Sequence, residues 1–348
     1  MCSMTSSGVP RVAVAMCTYN GAAYLQAQLN SLLVQTVPLD EIVIGDDGSS
    51  DATLSLLNDF AEHAVARGIH VDIVRRPRNL GYVLNFADVL QRCTAEIVFL
   101  CDQDDVWCPD RVETYLAKFD SDSSLLLLHS DARLVNGAGE PLGAGLFGML
   151  QVHPAELELE RSGLVLDAIL MRNFVTGATC ALRRSLLANG LPIGSKWSHD
   201  EWLAVVASLE GGLDVLPQAT IDYRQHGGNQ IGASRRSIRD RLRNLALLDE
   251  RQRTCTERRL RALLALLSER GVQVAPARLN GLSALTWRMA WSRLQLYRRP
   301  DVEWTWIAHD APRLLARLAN ACLAGGGWRA AAAACGGVWA GLRGRPLR

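Results

Sequence analysis

Residues 99–107 read Phe99-Leu-Cys-Asp-Gln-Asp-Asp-Val-Trp107, an apolar stretch that gives way to a cluster of acids. The segment that leads into it, residues 95–101, is mostly apolar, which is typical of a short buried strand in a parallel sheet. Three carboxylates follow within four positions, at Asp102, Asp104 and Asp105. Because ligands of open α/β sheets bind at the carboxyl ends of the strands, we expect these acids to face a functional crevice.

The acid cluster has two interpretations. Carboxylates this close repel one another, and a divalent cation held jointly by them and by substrate phosphates would relieve that repulsion. The alternative is a polar loop followed by an acidic helix start, because Asp110 and Glu113 come next. Motifs elsewhere in the chain are needed to choose between them.

The amino-acid composition indicates a globular protein with its cysteines reduced. The chain has 348 residues, of which 49% are hydrophobic, so it can bury a sizeable core in one large domain or two smaller ones. Its nine cysteines form no Cys-x-x-Cys pair and no Cys/His cluster at zinc spacing, which predicts reduced core thiols in a cytosolic protein. Residues 1–10 lack the basic start and the apolar run of a signal peptide, which also favours a cytoplasmic location.

Charge is divided unevenly, although the formal net charge is only +1. Residues 1–234 sum to −13 and residues 235–348 sum to +14. This division predicts an acidic body and a basic C-terminal extension. Arg-rich helical patterns are predicted in the extension over about 237–270, 278–298 and 303–323. Basic extensions bind anionic surfaces, either membranes or nucleic acids.

Strand and helix patterns alternate through the acidic body, which predicts an α/β fold, Rossmann-like, with a mostly parallel sheet flanked by helices. Strands are predicted at 11–17, 41–45, 71–74, 95–101, 125–130 and 221–225, with a strand or strand-turn at 174–182. Helices are predicted near 23–33, 54–61, 83–91, 184–188 and 198–208. Ser49 or Ser50 can cap the second helix.

Three of the predicted strands end in polar turns. The turns are Thr18-Tyr19-Asn20, Asp46-Asp47-Gly48 and Asp102-Gln103-Asp104. Parallel strands bring such turns to one edge of the sheet, so the three are expected to converge on one crevice. No Gly-x-Gly-x-x-Gly follows the first strand and no Gly-x-x-x-x-Gly-Lys loop occurs, which disfavours a dinucleotide or P-loop site.

These turns carry a family resemblance. Residues 13–51, with Cys17-Thr18-Tyr19-Asn20-Gly21 and Asp46-Asp47-Gly48-Ser49-Ser50-Asp51, resemble the nucleotide-binding start of family 2 glycosyltransferases with the GT-A fold. Asp102-Gln103-Asp104-Asp105-Val106-Trp107 resembles the Asp-x-Asp variant of rhamnosyltransferase-like members, and two later motifs fit the same subgroup: His199-Asp200-Glu201-Trp202 and Tyr223-Arg224-Gln225-His226-Gly227-Gly228-Asn229. The resemblance covers about 11–232. It implies a catalytic domain over 1–234, with a nucleotide-sugar half near 11–107 and an acceptor half near 108–234.

The resemblance implies roles for individual residues in donor binding. Asp46 would accept the imide N–H of a uracil or thymine base, while Asp47 would hold the ribose side or the turn. Asn79 and Gly81 would shape the wall of the base pocket. The implied donor-binding residues are Thr18, Tyr19, Asn20, Asp46, Asp47, Asn79, Gly81, Asp102 and Gln103. Arg76 or Arg78 could touch base or phosphate, but a solvated arginine is the favoured interpretation of either one.

The same resemblance implies a divalent metal, Mg²⁺ or Mn²⁺, held by Asp102, Asp104 and His226, with Asp104 the first choice for direct ligation. His226 could equally be structural, and Asp105 could support the site or start a helix. Trp107 is interpreted as a packing anchor.

The general base implied by the resemblance is Asp200, with Glu201 as the fallback, since a displacement at the anomeric carbon needs a carboxylate to take the acceptor proton. The alternative is that Asp200 only starts its helix. The role of His199 stays open, and Gly177 and Thr179 are expected near a sugar.

The implied function is inverting, metal-dependent transfer of a sugar, with dTDP-L-rhamnose as the favoured donor, to a hydroxyl of a surface glycan or its lipid-linked precursor. A UDP-hexose donor, a catalytically silent nucleotide- or glycan-binding protein and a sugar-phosphate nucleotidyltransferase are the alternatives. Residues 313–348 interleave Trp and Arg with Ala and Leu, which favours a peripheral segment on the cytoplasmic face of a membrane. An ordinary helical cap is the other interpretation of this segment, and nucleic-acid binding is disfavoured.

Overall fold

The computed structural model describes residues 11–227, apart from 153, 162–164, 167–168, 170–172 and 195–196. The basic extension, residues 235–348, lies outside this range, so its predicted helices and membrane contact stay predictions. All of the described residues belong to one compact unit whose C-terminal limit also falls outside the range. The domain boundary near residue 234 therefore stays a prediction as well.

Nine strands within this range form one sheet. They are β1 (Val12–Thr18), β2 (Glu41–Asp46), β3 (His70–Arg75), β4 (Ile97–Cys101), β5 (Val106–Trp107), β6 (Leu127–Asn136), β7 (Pro141–Gly145), β8 (Ala181–Arg183) and β9 (Leu213–Gln225). The α-helices described are α1 (Ala22–Leu33), α2 (Thr53–Val65), α3 (Tyr82–Arg92), α4 (Arg111–Ser121), α5 (Leu146–Leu150), α6 (Pro154–Arg161), α7 (Leu187–Gly190) and α8 (His199–Glu210). Two 3₁₀ turns occupy Gly177–Thr179 and Arg184–Leu186.

The strand order is β3-β2-β1-β4-β8-β6-β9-β5, with β7 paired to β6. Strands β1 to β4 pair in parallel, as predicted, and residues of β1, β2 and β4 are buried on both faces. Beyond β4 the sheet is mixed, since β8, β7 and β5 pair antiparallel with their neighbours, while β6 and β9 pair in parallel. The α/β class is confirmed, and the parallel character is confined largely to the first half. The short link between β6 and β7 permits only an antiparallel hairpin.

The parallel half sets the position of the turns. In the pairing of β1 with β2, Thr18 lies opposite Asp46, and Met16 lies opposite Cys101 in the pairing of β1 with β4. The three polar turns therefore leave the sheet at the same edge, as the sequence predicts. No helix in the described part of the chain is long and apolar enough to cross a bilayer.

The start of α2 differs from the prediction, because neither Ser49 nor Ser50 caps it. The carboxylate of Asp51 accepts the N–H of Thr53, the first residue of the helix, over 3.0 Å. Such an aspartate turn competes with serine capping. The Ser49 hydroxyl is engaged by Asp46 instead.

Several other elements differ in extent from the prediction: β6 runs on to Asn136 instead of ending near residue 130, and the strand predicted at 174–182 is confined to Ala181–Arg183. The strand predicted at 221–225 begins at Leu213, and the helix predicted at 184–188 is a 3₁₀ turn followed by the short α7. The cysteines of the described range are buried and reduced, as predicted: Cys17, Cys93, Cys101, Cys108 and Cys180. Burial raises the pKa of the Cys17 thiol well above its ordinary value, so this thiol stays protonated.

Candidate functional site

A cavity of about 850 Å³ opens where β1, β2 and β4 end. The first turn of α8 and the segment before the Gly177–Thr179 turn close its other side. Most of the predicted site residues line it: Thr18, Tyr19, Asn20, Asp47, Asp102, Gln103, Asp104, Asp200 and His226. Gly177, His199 and Glu201 line it as well, whereas Asp46, Asn79, Gly81 and Thr179 do not.

Asp46, implied as the acceptor for the base, has a different position. Its carboxylate is fully buried, where one oxygen accepts the Ser49 N–H over 3.0 Å. The other oxygen accepts the hydroxyls of Thr18, over 3.0 Å, and Ser49. Asp46 thus ties the end of β1 to the turn after β2 and does not line the cavity. Its neighbour Asp47 reaches the cavity in its place.

Asp47 also organises the loop that was expected to form the base pocket. Its two carboxylate oxygens accept the N–H groups of Leu80, over 2.7 Å, and Gly81, over 2.9 Å. Gly81 has φ +84, a conformation that favours glycine, and precedes α3. Asp47 therefore links the cavity to the backbone of Leu80 and Gly81, and Oδ1 of Asn79 accepts the same Gly81 N–H over 3.0 Å. Arg76 pairs with Asp88 rather than being solvated.

The turn after β1 is fixed to both neighbouring loops. The Tyr19 N–H donates to Oε1 of Gln103 over 2.8 Å, and Nε2 of Gln103 donates back to the Tyr19 carbonyl over 3.1 Å. Asn20, at φ +47, accepts the Ser50 N–H over 2.8 Å. Since Gln103 lies inside the acid cluster, these two hydrogen bonds join the turn after β1 to the loop that carries Asp102 and Asp104.

Two carboxyl groups of the acid cluster, Asp102 and Asp105, have raised pKa values. Burial, with the charges of Asp104 and Asp200, raises the pKa of Asp102 to about 7. Asp105 is buried and does not belong to a helix start, because α4 begins only at Arg111. Burial, then Asp104 and Asp102, raise the pKa of Asp105 well above its ordinary value. Such crowding of carboxylates favours a cationic ligand.

The predicted metal ligands are partly assembled. Nε2 of His226 lies 2.8 Å from Oδ2 of Asp104, and Asp102 lines the same cavity. Within the residues that the structure describes, no group of three or more His, Cys, Asp or Glu side chains forms a complete metal cage. The carboxylate donors fit Mg²⁺ or Mn²⁺, and the imidazole of His226 suits Mn²⁺ better than Mg²⁺; an incomplete set fits a cation that shares its coordination with substrate phosphates.

Asp200 lies in the first turn of α8, and both of its oxygens are oriented. Oδ2 accepts the Gly177 N–H over 3.0 Å, and Oδ1 accepts the Glu201 N–H over 2.7 Å. Asp200 both starts its helix and lines the cavity, so the helix-start interpretation does not exclude a catalytic one.

His199, whose role the sequence left open, is 6% exposed and stacks on Phe86 with ring centroids 4.0 Å apart. Tyr82 meets the same ring edge-on at 5.9 Å. Neither ring nitrogen has a hydrogen-bond partner among the described residues. Burial lowers the pKa of His199, opposed by the charge of Asp200, so the ring is neutral.

Sequence reasoning missed two residues that support the site. Arg111 is fully buried, with its guanidinium 4.6 Å from the ring centroid of Trp107, which is itself buried as predicted. Arg111 donates to the Ala178 carbonyl over 3.0 Å, next to Gly177. Tyr24 packs on His226. Neither stands out, since a charged residue in a helix start and an aromatic residue in a helix are common.

Comparison with known proteins identifies the fold and family. Residues 13–143 match the family model described as Glycosyl transferase family 2. An uncharacterized glycosyltransferase of Haemophilus influenzae is 31% identical over 229 residues, which cover 63% of this chain and 66% of that protein. An uncharacterized protein of Mycobacterium tuberculosis is 27% identical over 218 residues, 60% of this chain, and the chain spans 57% of the length of that relative.

One solved structure shares the fold. The crystal structure of the S. aureus TarS fragment 1–349 in complex with UDP-GlcNAc superposes with a TM-score of 0.51 at 21% identity, over 68% of this chain and 65% of that chain. The matched family model, together with the polar turns at the strand ends, places residues 13–143 in glycosyl transferase family 2, and the superposition shows a GT-A fold.

Proposed function

We propose that the chain is an inverting glycosyltransferase that moves a sugar from a nucleoside diphosphate to an acceptor hydroxyl with the help of a divalent metal. The observation that carries the proposal is the placement of Asp200, Asp102 and Asp104 around one cavity. Transfer needs a base for the acceptor and a site for the diphosphate, and the presence of carboxylates suited to both tasks in one cavity supports the proposal.

The metal site of the proposal consists of Asp104 and His226, with Asp102 beside them. A divalent cation bound there supplies neutralisation of the charge that develops on the leaving diphosphate. The chain itself orients the nucleotide through the Tyr19–Gln103 hydrogen bonds and through Asp47, which fixes the loop at Leu80 and Gly81.

Asp200 acts as the general base. It takes the proton of the acceptor hydroxyl as that oxygen bonds to the anomeric carbon, and the bond from this carbon to the diphosphate oxygen breaks. The electron pair leaves with the nucleoside diphosphate, and the anomeric configuration is inverted. The Gly177 and Glu201 N–H groups hold the carboxylate in one orientation, so no reorganisation of the base is needed at the moment of attack.

dTDP-L-rhamnose is the donor favoured by the motifs His199-Asp200-Glu201-Trp202 and Tyr223-Arg224-Gln225-His226-Gly227-Gly228-Asn229. A UDP-hexose is the second candidate. Both donors are tested by incubating the purified chain with a panel of nucleotide sugars. Mass spectrometry then detects the released nucleoside diphosphate, and NMR identifies the sugar product. Inverted product from one donor is the expected result.

Other results of the same screen would reject transfer. Binding without hydrolysis or transfer of any nucleotide sugar would identify a silent binding protein. Release of pyrophosphate from a sugar phosphate and a nucleoside triphosphate would identify a nucleotidyltransferase.

The acceptor in this proposal is a growing surface glycan or its lipid-linked precursor, at the cytoplasmic face of the membrane. The +14 charge of residues 235–348 supports it, since each surface-proximal Lys or Arg contributes about 1 kcal/mol on an anionic leaflet. Full-length protein should sediment with anionic vesicles at low salt, and removal of residues 312–348 should release it. Equal sedimentation of both forms would reject membrane association through this segment.

A further inference from the structure

Four residues form a closed circuit of contacts around the predicted metal ligands, three of the contacts between side chains and one to the backbone carbonyl of Asp104. The ring centroids of Tyr24 and His226 lie 4.4 Å apart with planes inclined by 31°. Nε2 of His226 lies 2.8 Å from Oδ2 of Asp104, whose carbonyl accepts Nε of Arg224 over 2.8 Å. The guanidinium of Arg224 returns to Tyr24, 5.1 Å from its ring centroid. Each member contacts two others.

The circuit joins elements that are distant in the sequence. Tyr24 belongs to α1, Asp104 follows β4, and His226 comes directly after β9. An imidazole just past the end of a strand would rotate about two side-chain torsions unless its face were covered. Tyr24 covers that face, so the edge that carries Nε2 stays directed at Asp104.

Arg224 stabilises the same arrangement through two further hydrogen bonds, one donated by its backbone N–H and one donated to a backbone carbonyl. Its own N–H donates to Oδ1 of Asp105 over 2.9 Å, and its Nη1 donates to the Gly137 carbonyl over 3.0 Å. The acid loop is therefore fixed to the end of β9, and Tyr24 lies against the two side chains that connect them.

We propose that Tyr24 is a positioning residue of the cation site, which acts by holding the imidazole of His226 toward Asp104. The inference rests on the proposed function, because it concerns the metal of that reaction. Residues that orient metal ligands change metal affinity by about 10–100-fold when they are replaced. The ring of Tyr24, rather than its hydroxyl, is the part that covers His226.

The test replaces the ring and measures metal binding directly. Tyr24→Met and Tyr24→Leu remove the ring with side chains that suit a helix, and two variants ensure that a folded one is available. Tyr24→Phe keeps the ring. Tyr82→Met is the matched control, since Tyr82 lines the same cavity but contacts His199. Thermal unfolding confirms that each variant is folded.

Mn²⁺ affinity is measured by electron paramagnetic resonance with saturating UDP and, in a second series, dTDP. Nucleotide affinity is measured by calorimetry in EDTA. The ring-less variants should bind Mn²⁺ about tenfold more weakly, while metal-free nucleotide affinity stays within about twofold. Saturating Mn²⁺ should restore kcat, and Tyr24→Phe and Tyr82→Met should match the wild type in Mn²⁺ affinity.

Each other outcome overturns the inference. Wild-type Mn²⁺ affinity in a ring-less variant would show that the stack has no positioning role. An equal loss of nucleotide affinity in EDTA would show that Tyr24 touches the nucleotide itself. Wild-type protein that binds no Mn²⁺ with either nucleotide would overturn the metal part of the proposed function too, whereas metal binding that is insensitive to Tyr24 would overturn this inference alone.

Discussion

The backbone N–H of Gly177 donates a 3.0 Å hydrogen bond to Oδ2 of Asp200, and this bond joins segments 23 residues apart. The approach depends on the absence of a side chain at residue 177. A Cβ there would lie 2.7 Å from Nε2 of His199, which is too close for a non-bonded contact. Glycine therefore lets the loop reach the carboxylate while the His199 ring keeps its stack on Phe86.

Asp200→Asn should lower kcat by about 10²–10⁴-fold, the usual contribution of a positioned general base. Asparagine keeps the shape of the side chain but cannot take the acceptor proton. Single-turnover rates and calorimetric donor affinity are the measurements, and donor affinity should stay unchanged. Glu201→Gln is the matched control, expected to retain most of the rate. Loss of donor affinity with an unchanged rate would assign Asp200 to the donor site instead.

Asp104→Asn should abolish transfer without lowering the melting temperature. Asp104 is one of the charges that raise the pKa of Asp102, so its loss relieves repulsion in the metal-free protein. Initial rates across a Mn²⁺ titration and a thermal unfolding curve measure the two effects. Full wild-type activity in EDTA, together with an unimpaired Asp104→Asn variant, would contradict metal dependence.

His199→Phe should raise the free energy of unfolding by about 1 kcal/mol, because two buried nitrogens that have no partner among the described residues are replaced by an apolar ring of similar shape. Urea denaturation measures this change. Phe86→Leu, which removes the stacked ring instead, should be destabilising. A less stable His199→Phe variant would show that the imidazole nitrogens find partners in solution.

The pH dependence of stability follows from Asp102, whose pKa is raised from 3.8 to about 7. Between these values the folded state keeps a proton that the unfolded state has lost, so this group makes the metal-free protein less stable as pH rises through that window. The slope is at most about 1.4 kcal/mol per pH unit. Urea denaturation in EDTA at pH 5, 6, 7 and 8 measures the free energy of unfolding at each pH. This free energy should decline less with rising pH in Asp102→Asn than in the wild type. Identical declines would contradict the shifted pKa.

The sequence alone determined the parallel half of the fold. Short apolar runs that end in polar turns predict strands whose carboxyl ends share an edge, and the structure has Thr18 opposite Asp46 in adjacent strands. Local pattern was sufficient for the turns, because each one follows directly from the strand before it. The grouping of Asp102, Asp104 and Asp200 in one cavity was also predicted, but only through the family resemblance of the motifs that surround them.

Tertiary structure alone decided which of two adjacent turn residues lines the cavity. Asp46 and Asp47 are adjacent, and residues of β2 are buried on both faces, so no polar–apolar alternation distinguishes them. Hydrogen bonds from Thr18 and Ser49 hold the Asp46 carboxylate in the buried interior, away from the cavity lining. The contact of Tyr24 with His226 was likewise beyond sequence reasoning, since α1 and β9 meet only when the whole sheet has assembled. Such contacts depend on packing between distant segments, and this packing produces no periodic pattern in the sequence of either segment.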